Sequence, residues 1–474
     1  MTNTAGERYG ETSVHDEVPA GRPPSFYRLD NTVQAYDWGS TSAIQELLGL
    51  EPDGRPAAEL WMGAHPLAPS RVLPVDGAVP VDGAVPVDAA VPDDGAVPVD
   101  AAVAAGRTLA DLVRADPVGV LGLRVLDEYG PRLPYLLKVL AADRALSLQV
   151  HPRPHLARAG FNRENREGVP RGSAERSFHD DQHKPEMVVA VSRFEGLSGF
   201  RRPARVLELL EGLRGDLVAG MRAALEAQPS AAGIREAFTL ALHARTAPDV
   251  AVDLAVTVAD VRARLAAGTT SPRADETVVA LAEQHPGDPA VVVSMMLNRV
   301  TLEPGEAMFV PAGHVHAYLS GCAVEVMSSS DNVLRAGLTS KHVDVEALLA
   351  CASYGAGPAA RPVVRPLPAA PRPEAGRRSQ SGTGASRGGL WEYRATIPEF
   401  ALVTGEVGTE AVPFAGEGPR IVLALEGTVE VGPVDERSHE PGVAVRAGES
   451  VFVPHGVGAV ELRGPGRAVV AYVP

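Results

Sequence analysis

One stretch constrains this chain more than any other: Gly305-Glu-Ala-Met-Phe-Val-Pro311-Ala-Gly313-His-Val-His316. Glycine and proline bracket an apolar run too short for a helix, so the segment reads as strand, tight turn, strand. His314 and His316 lie two apart and share one face of the strand that follows. An imidazole placed there is either a metal ligand or a satisfied histidine in an ordinary turn. The segment alone leaves both readings open.

A metal needs further donors. Gln149 and His151 are also two apart in strand-like text, Ala145-Leu-Ser-Leu-Gln-Val-His151, and Ser147 shares their face. In His183-Lys184-Pro185-Glu186-Met187 a carboxylate enters just before an apolar run. Two histidines, a glutamate and a glutamine make a Zn²⁺ set, with imidazole and carboxylate at ~2.0–2.2 Å. One carboxylate on a dication leaves the site net positive, which suits a developing oxyanion. A third cluster, Glu325-Val-Met-Ser-Ser-Ser-Asp331-Asn332-Val-Leu-Arg335-Ala-Gly337, follows the same strand and offers an acid, an Asp-Asn turn and a guanidinium. Its plain alternative is a polar hairpin with a routine salt bridge.

Composition narrows the classes. The 474 residues hold 44 Lys+Arg against 59 Asp+Glu, a formal charge of −15, and such an acidic surface argues against sequence-independent nucleic-acid binding. With only Cys322 and Cys351, a disulfide framework and a Cys-rich structural zinc site are both excluded. No signal peptide and no apolar run of ~20 residues stand out, so a cytoplasmic protein without a membrane span is expected.

Several segments are legible along the chain. Residues 1–24 read as a disordered polar arm. A Pro-Val-Asp-Gly-Ala-Val hexapeptide recurs over residues 74–103; a β-helix needs more turns than this, so a flexible surface insertion is expected. Residues 25–200 and 290–350 read as one β domain, interrupted by an α-helical subdomain over 201–289, where Val206, Leu209, Leu210, Met221, Leu225, Leu242, Val261, Val278 and Leu281 keep helical spacing. Residues 357–389 read as a Pro/Gly/Ser-rich linker. Residues 390–474 read as a second small β domain of short Val-rich strands.

The turn with His316 resembles the second motif of the cupin superfamily, a double-stranded β-helix barrel, and the register of that motif selects His316 over His314. The fuller set is more specific. Leu148-Gln149-Val150-His151-Pro152, His183-Lys184-Pro185-Glu186, Pro311-Ala-Gly313 with His316-Ala-Tyr318, and Ser329-Ser-Asp-Asn332 with Arg335-Ala-Gly337 resemble the type I mannose-6-phosphate isomerase family. Ala35-Tyr-Asp-Trp38-Gly39 and Ala58-Glu59-Leu-Trp61-Met-Gly63 resemble it too, and the likeness spans about residues 26–350. It implies a mainly β fold with a helical insertion, built on cupin-like barrels. It also implies one Zn²⁺ per chain on Gln149, His151, Glu186 and His316, with Arg335 as an active-site cation. Gly448, Pro454-His-Gly456 and Ala459 repeat the glycine–proline–glycine spacing, with Ala459 where the ligand histidine would stand, so the C-terminal copy is degenerate.

The implied reaction interconverts mannose 6-phosphate and fructose 6-phosphate through a cis-enediol(ate), and the expected partner is that small sugar phosphate, met by a monomer. A base must carry a proton between neighbouring carbons. Glu325 and Lys184 lead, with His183 and Asp331 behind; a zinc field two residues away is expected to depress the Lys184 pKa. Lys138, Ser147 and Tyr318 are expected to touch substrate, the first two as phosphate holders. The competing classes are a sugar-phosphate-binding cupin without catalysis, or other metal-dependent cupin chemistry such as an iron oxygenase. Gln149 as a fourth ligand and the Lys184 and Arg335 cations argue against the oxygenase.

Overall fold

A computed structural model describes residues 26–73, 107–367, 389–434 and 442–474. The expected N-terminal arm, the hexapeptide insertion and residues 368–388 of the expected linker lie outside the described residues.

The chain is written mostly in antiparallel strands. The first run is β1 (Tyr27–Asp30), β2 (Thr32–Gln34), β3 (Glu59–Gly63), β4 (Arg71–Leu73), β5 (Tyr135–Ala142), β6 (Leu148–Val150), β7 (Glu186–Ala190) and β8 (Phe194–Phe200). After a helical excursion come β9 (Leu297–Leu302), β10 (Ala307–Val310), β11 (His316–Ser328), β12 (Leu334–Gly337) and β13 (Val363–Pro366). The last run is β14 (Leu390–Arg394), β15 (Ala401–Val407), β16 (Val412–Phe414), β17 (Arg420–Pro433), β18 (Val443–Arg446), β19 (Ser450–Val453), β20 (Val460–Arg463) and β21 (Gly466–Tyr472).

These form two sheets. A 10-stranded sheet has the path β10-β7-β11-β5-β3-β2, with β6, β8, β9 and β12 branching from it. An 11-stranded sheet has the path β13-β14-β15-β21-β17-β19-β1-β4, with β16, β18 and β20 attached. Among the described residues both remain open and no ring of strands closes.

Between β8 and β9 the chain folds into helices Pro203–Leu210, Asp216–Ala227, Ala231–Ala244, Val250–Ala267 and Pro272–Gln284. Their apolar stripes (Val206, Leu210, Met221, Leu225, Phe238, Val261, Val278) are buried together with Leu148, Val150, Leu197 and Phe200 of the sheet. That contact braces the back of β6, which carries Gln149 and leads into His151.

The sheets meet face to face. Leu137, Val139, Met187, Val189, Val324 and Val326 of one pack against Phe400, Leu402, Ile421, Leu423, Phe452 and Val469 of the other in one core. Strands β5 and β7 and the second half of β11 (from Ala323) are buried on both faces, so their text is mostly apolar rather than alternating, broken only by Lys138, Glu186, Glu325 and Ser328.

The structure departs from the sequence reading at β1 and β4. They lie in the text expected for the first domain, yet β1 pairs with β19 (Tyr27↔Phe452, Leu29↔Ser450) and β4 with β1. Tyr27 and Leu29 bury one side against the shared core while the backbone pairs with an edge more than 400 residues away, as the Arg28–Glu449 ion pair across 421 positions marks. Local pattern carries no record of such a partner. The text read as linker also contains β13, an exposed strand hydrogen-bonded to β14.

Candidate metal centre

Strand β11 organises the site. Its first residues pair with β6 and β8, and its later ones with β5 and β7. The register slips between Tyr318 and Ser320, where one extra residue is inserted. Nine positions separate His316 from Glu325, so a regular strand would send them to opposite faces. The bulge restores the parity: Tyr318 and Ala323 share one apolar cluster, while Val324 and Val326 face the other. One strand thereby presents His316, Tyr318 and Glu325 to the same side.

The turn before it sets the height. Gly313 has φ +92°, in the left-handed region, and donates its N–H to the His151 carbonyl at 2.7 Å. A Cβ there would come within 2.5 Å of the Ser353 hydroxyl. His151 and His316 thus hang from two backbone segments stapled to each other, and His316 pairs with Gln149 across β6.

His151, Glu186 and His316 converge, all buried, with one donor atom of each within 4.8 Å of the others. The Glu186 carboxylate lies 3.1 Å from His151 Nε2 and 3.3 Å from His316 Nε2. Both rings spend Nδ1 on a carbonyl: His151 on Asn332 at 2.7 Å, His316 on His314 at 3.0 Å. A neutral ring that donates from Nδ1 has a bare lone pair on Nε2, and both Nε2 atoms are buried without a hydrogen-bond partner. Burial pushes the His151 pKa down to about 4, so that ring is neutral at ordinary pH. Burial would raise Glu186, but the Lys184 ammonium leads the groups that hold it well below the carboxylate range. Two bare imidazole nitrogens aimed at one carboxylate suit a divalent cation.

Around this core sit charges of both signs. Lys184 Nζ is 2.9 Å from Glu186 Oε1. The Tyr318 hydroxyl donates to Glu186 Oε2 at 3.2 Å. Lys138 lies between two buried carboxylates, 3.3 Å from Glu59 and 3.4 Å from Glu325, and 4.9 Å from the Trp61 ring centroid. Its charge is matched by these two carboxylates. Burial would lower its pKa; the two carboxylates outweigh that and hold it above the ordinary lysine value. Glu325 is pushed up to about 7 by burial, with the Glu186 charge adding and Lys138 opposing.

His183 and Asp331 each have a partner outside the metal group. His183 Nε2 is 2.5 Å from Glu399, outside the metal group. Asp331 is paired with buried His65 at 3.3 Å, and that partner holds its pKa low although burial would raise it. His314 stays outside the metal group, half-buried. Ser147 precedes β6, half-buried and without a hydrogen bond among the described residues. Arg335 sits on β12 opposite Gln149, also half-buried, and makes no ion pair or hydrogen bond among the described residues.

The sequence reading missed four contributors. Glu59 lay inside a quoted motif without a role; its signal was a charge in an otherwise buried strand, as with Lys138. Lys341 stacks over the Tyr36 ring at 5.9 Å, with its pKa lowered by burial and then by the Arg335 charge, so these cations are neighbours. Tyr36, like Glu59, lay inside a quoted motif without a role, and His65 carried no local signal.

An antiparallel β protein with a single buried His–Glu–His group among its described residues, ringed by lysines and arginine, defines the class of mononuclear metal sites built from nitrogen and oxygen donors. Comparison with known proteins narrows it. Residues 26–81 and 94–203 match the model of the phosphomannose isomerase type I catalytic domain. The chain is 31% identical to mannose-6-phosphate isomerase of Escherichia coli (strain K12) over 94% of its own length and 99% of the relative, and 32% identical to that of Bos taurus over 85% and 88%. A mutant of phosphomannose isomerase from Salmonella typhimurium superposes with a TM-score of 0.74 at 29% identity, covering 95% of this chain and 99% of that one. Zinc-bound mannose 6-phosphate isomerase gives 0.73 at 30%, with the same coverage. The chain belongs to the type I phosphomannose isomerase family.

Proposed function

We propose that the chain is a zinc-dependent aldose–ketose isomerase that interconverts mannose 6-phosphate and fructose 6-phosphate. The observation that carries this is the pair of bare imidazole nitrogens facing Glu186, in a chain of this family. His151, Glu186 and His316 would hold the ion, with Gln149 as the fourth protein donor from its place opposite His316. Zinc, when bound, supplies a Lewis acid that stabilises negative charge on the substrate oxygens.

The charge balance supports a dianionic substrate. Lys138 and Lys184 offset two of the three carboxylates Glu59, Glu186 and Glu325, so that a zinc ion together with Arg335 and Lys341 leaves the site net positive, as a phosphomonoester of about −1.5 to −2 requires. Arg335 and Lys341 are the unmatched cations at the rim and are assigned to the phosphate, where a guanidinium fork fits its oxygens. Ser147 stays as a weaker contact. Glu325 carries the proton between C1 and C2: a carboxyl near neutrality both takes and returns a proton at working pH. Lys138, directly across β5 from Glu325, keeps that carboxylate in place. Lys184 positions Glu186 and stands ready to stabilise charge on the enediolate.

Further readings rest on the same ground. The helix-braced sheet is taken as the catalytic unit (25–200 and 290–350, with 201–289 helical) and residues 390–474 as a second unit without metal ligands. Each sheet is read as a variant of the cupin double-stranded β-helix, supported by the glycine–proline–glycine turn that recurs before His316 and before Ala459. A cytoplasmic monomer fits a site whose residues all come from one chain; among the described residues no helix is long and apolar enough to cross a membrane.

The test is a coupled assay of purified protein with mannose 6-phosphate, with and without chelator, then with zinc restored. Fructose 6-phosphate formation that chelator abolishes and zinc recovers is the expected result. A fully zinc-loaded protein that turns nothing over sinks the isomerase reading in favour of a binding module.

A further inference from the structure

The Ser-Ser-Asp-Asn332 turn has no part in the chemistry above, yet Asn332 is the most heavily bonded amide near the site. Its side chain is fully buried. Nδ2 donates to the Asp180 carbonyl at 2.8 Å, the Gln182 carbonyl at 2.7 Å and the Asp180 carboxylate at 3.1 Å. Oδ1 accepts from the backbone N–H groups of His179 at 2.8 Å and Asp180 at 3.3 Å. The same two turns are tied again by Ser330, whose hydroxyl donates to Asp180 at 2.9 Å and accepts from the Asn332 N–H at 3.2 Å. The Asp331 N–H donates to the other Asp180 oxygen at 2.8 Å.

All this fixes one atom that matters to the metal: the Asn332 carbonyl oxygen, which receives the His151 Nδ1–H at 2.7 Å. The two ligand histidines differ here. His316 is oriented by the carbonyl two residues before it, so its own strand supplies the contact. His151 is oriented from 181 positions away and has no local substitute. We infer that Asn332 is a positioning residue for the metal centre: its amide locks the 330–332 turn to the 179–182 turn, so that its carbonyl holds His151 in the tautomer with Nε2 bare. An inward-facing carbonyl partner of this kind tunes metal affinity by about 10–100-fold where it has been altered. The inference rests on the assignment of His151 as a zinc ligand.

The amide pattern dictates the variants. Asn332→Asp keeps size but replaces two donors with a carboxylate facing the Asp180 carboxylate and two carbonyls; Asn332→Ala removes the tie. The zinc dissociation constant is measured with zinc alone against a chromophoric chelator, without substrate, alongside the melting temperature of the metal-free protein. The expected result is about 10–100-fold weaker zinc in both variants, with kcat recovered at saturating zinc and KM unchanged. A structural role alone would lower the metal-free melting temperature without moving the zinc constant of the folded protein. An unchanged zinc constant in folded Asn332 variants overturns the proposal. If neither folds, Ser330→Ala takes over the test, since it removes only the hydroxyl bridge. A severalfold weaker zinc constant then supports the proposal and an unchanged one overturns it. Failure of the isomerase reading is separable: wild-type protein that binds zinc but never turns over substrate fails that reading alone.

Discussion

At the scale of the residue, Arg335 is the side chain on which the reading depends most. A guanidinium without a protein counter-ion, half-buried beside the metal group, is poorly placed for stability and well placed for an anion. Arg335→Ala is expected to lower turnover of mannose 6-phosphate by about 100- to 1,000-fold while zinc stays near one per chain. Metal analysis beside steady-state kinetics checks both halves, and near-wild-type turnover would end the assignment. Glu325 makes a second, pH-dependent case. Its folded pKa of about 7 lies above its ordinary 4.5, so folding favours its protonated form. The stability this contributes is complete below 4.5 and is lost as pH rises towards 7. Glu325→Gln should flatten that part of the stability–pH curve of the metal-free protein, as denaturant melts at a series of pH values would record. An unaltered curve would mean that Glu325 titrates like an ordinary carboxyl.

At the scale of the element, the turn and the bulge decide the geometry. Gly313 holds a left-handed conformation and a donor that staples the His316 turn to His151. Gly313→Ala is therefore expected to cost about 1–3 kcal/mol in a thermal melt and to weaken zinc as well; a variant as stable and as zinc-avid as the parent would contradict this. The glycine was legible from its motif, and so was the convergence of His151, Glu186 and His316, because short local spacings fix which face each side chain takes. The bulge after Tyr318 was not. Alternation along Ala317–Ser328 is hidden by burial on both faces, so nothing in the text announces that Glu325 rejoins the side of His316. The same burial hid the pairing of Lys138 with Glu59 and Glu325. The partner of His183, Glu399, comes from the loop before β15, and no local spacing announces it.

At the scale of the whole molecule, the helical insertion and the Val-rich C-terminal strands were readable from periodicity, but their mutual packing was not. The two sheets share one core, with Leu137, Met187 and Val326 against Ile421, Phe452 and Val469. A chain ended at residue 367 would expose that face to water and strip β1 of its partner β19. It is expected to aggregate or stay unfolded, as circular dichroism and size-exclusion chromatography would reveal; a soluble, zinc-binding fragment would refute the shared core as a requirement.

Strand β1 also carries a cost in time. It leaves the ribosome first, yet Arg28 meets Glu449 across 421 positions. At the usual ~5–20 residues per second, the strand waits roughly 20–80 s for β19 to be made. For that interval its Tyr27 and Leu29 side chains and its bare edge are open to any passing strand. The nascent chain therefore carries an unpaired strand edge on β1 until β19 has emerged.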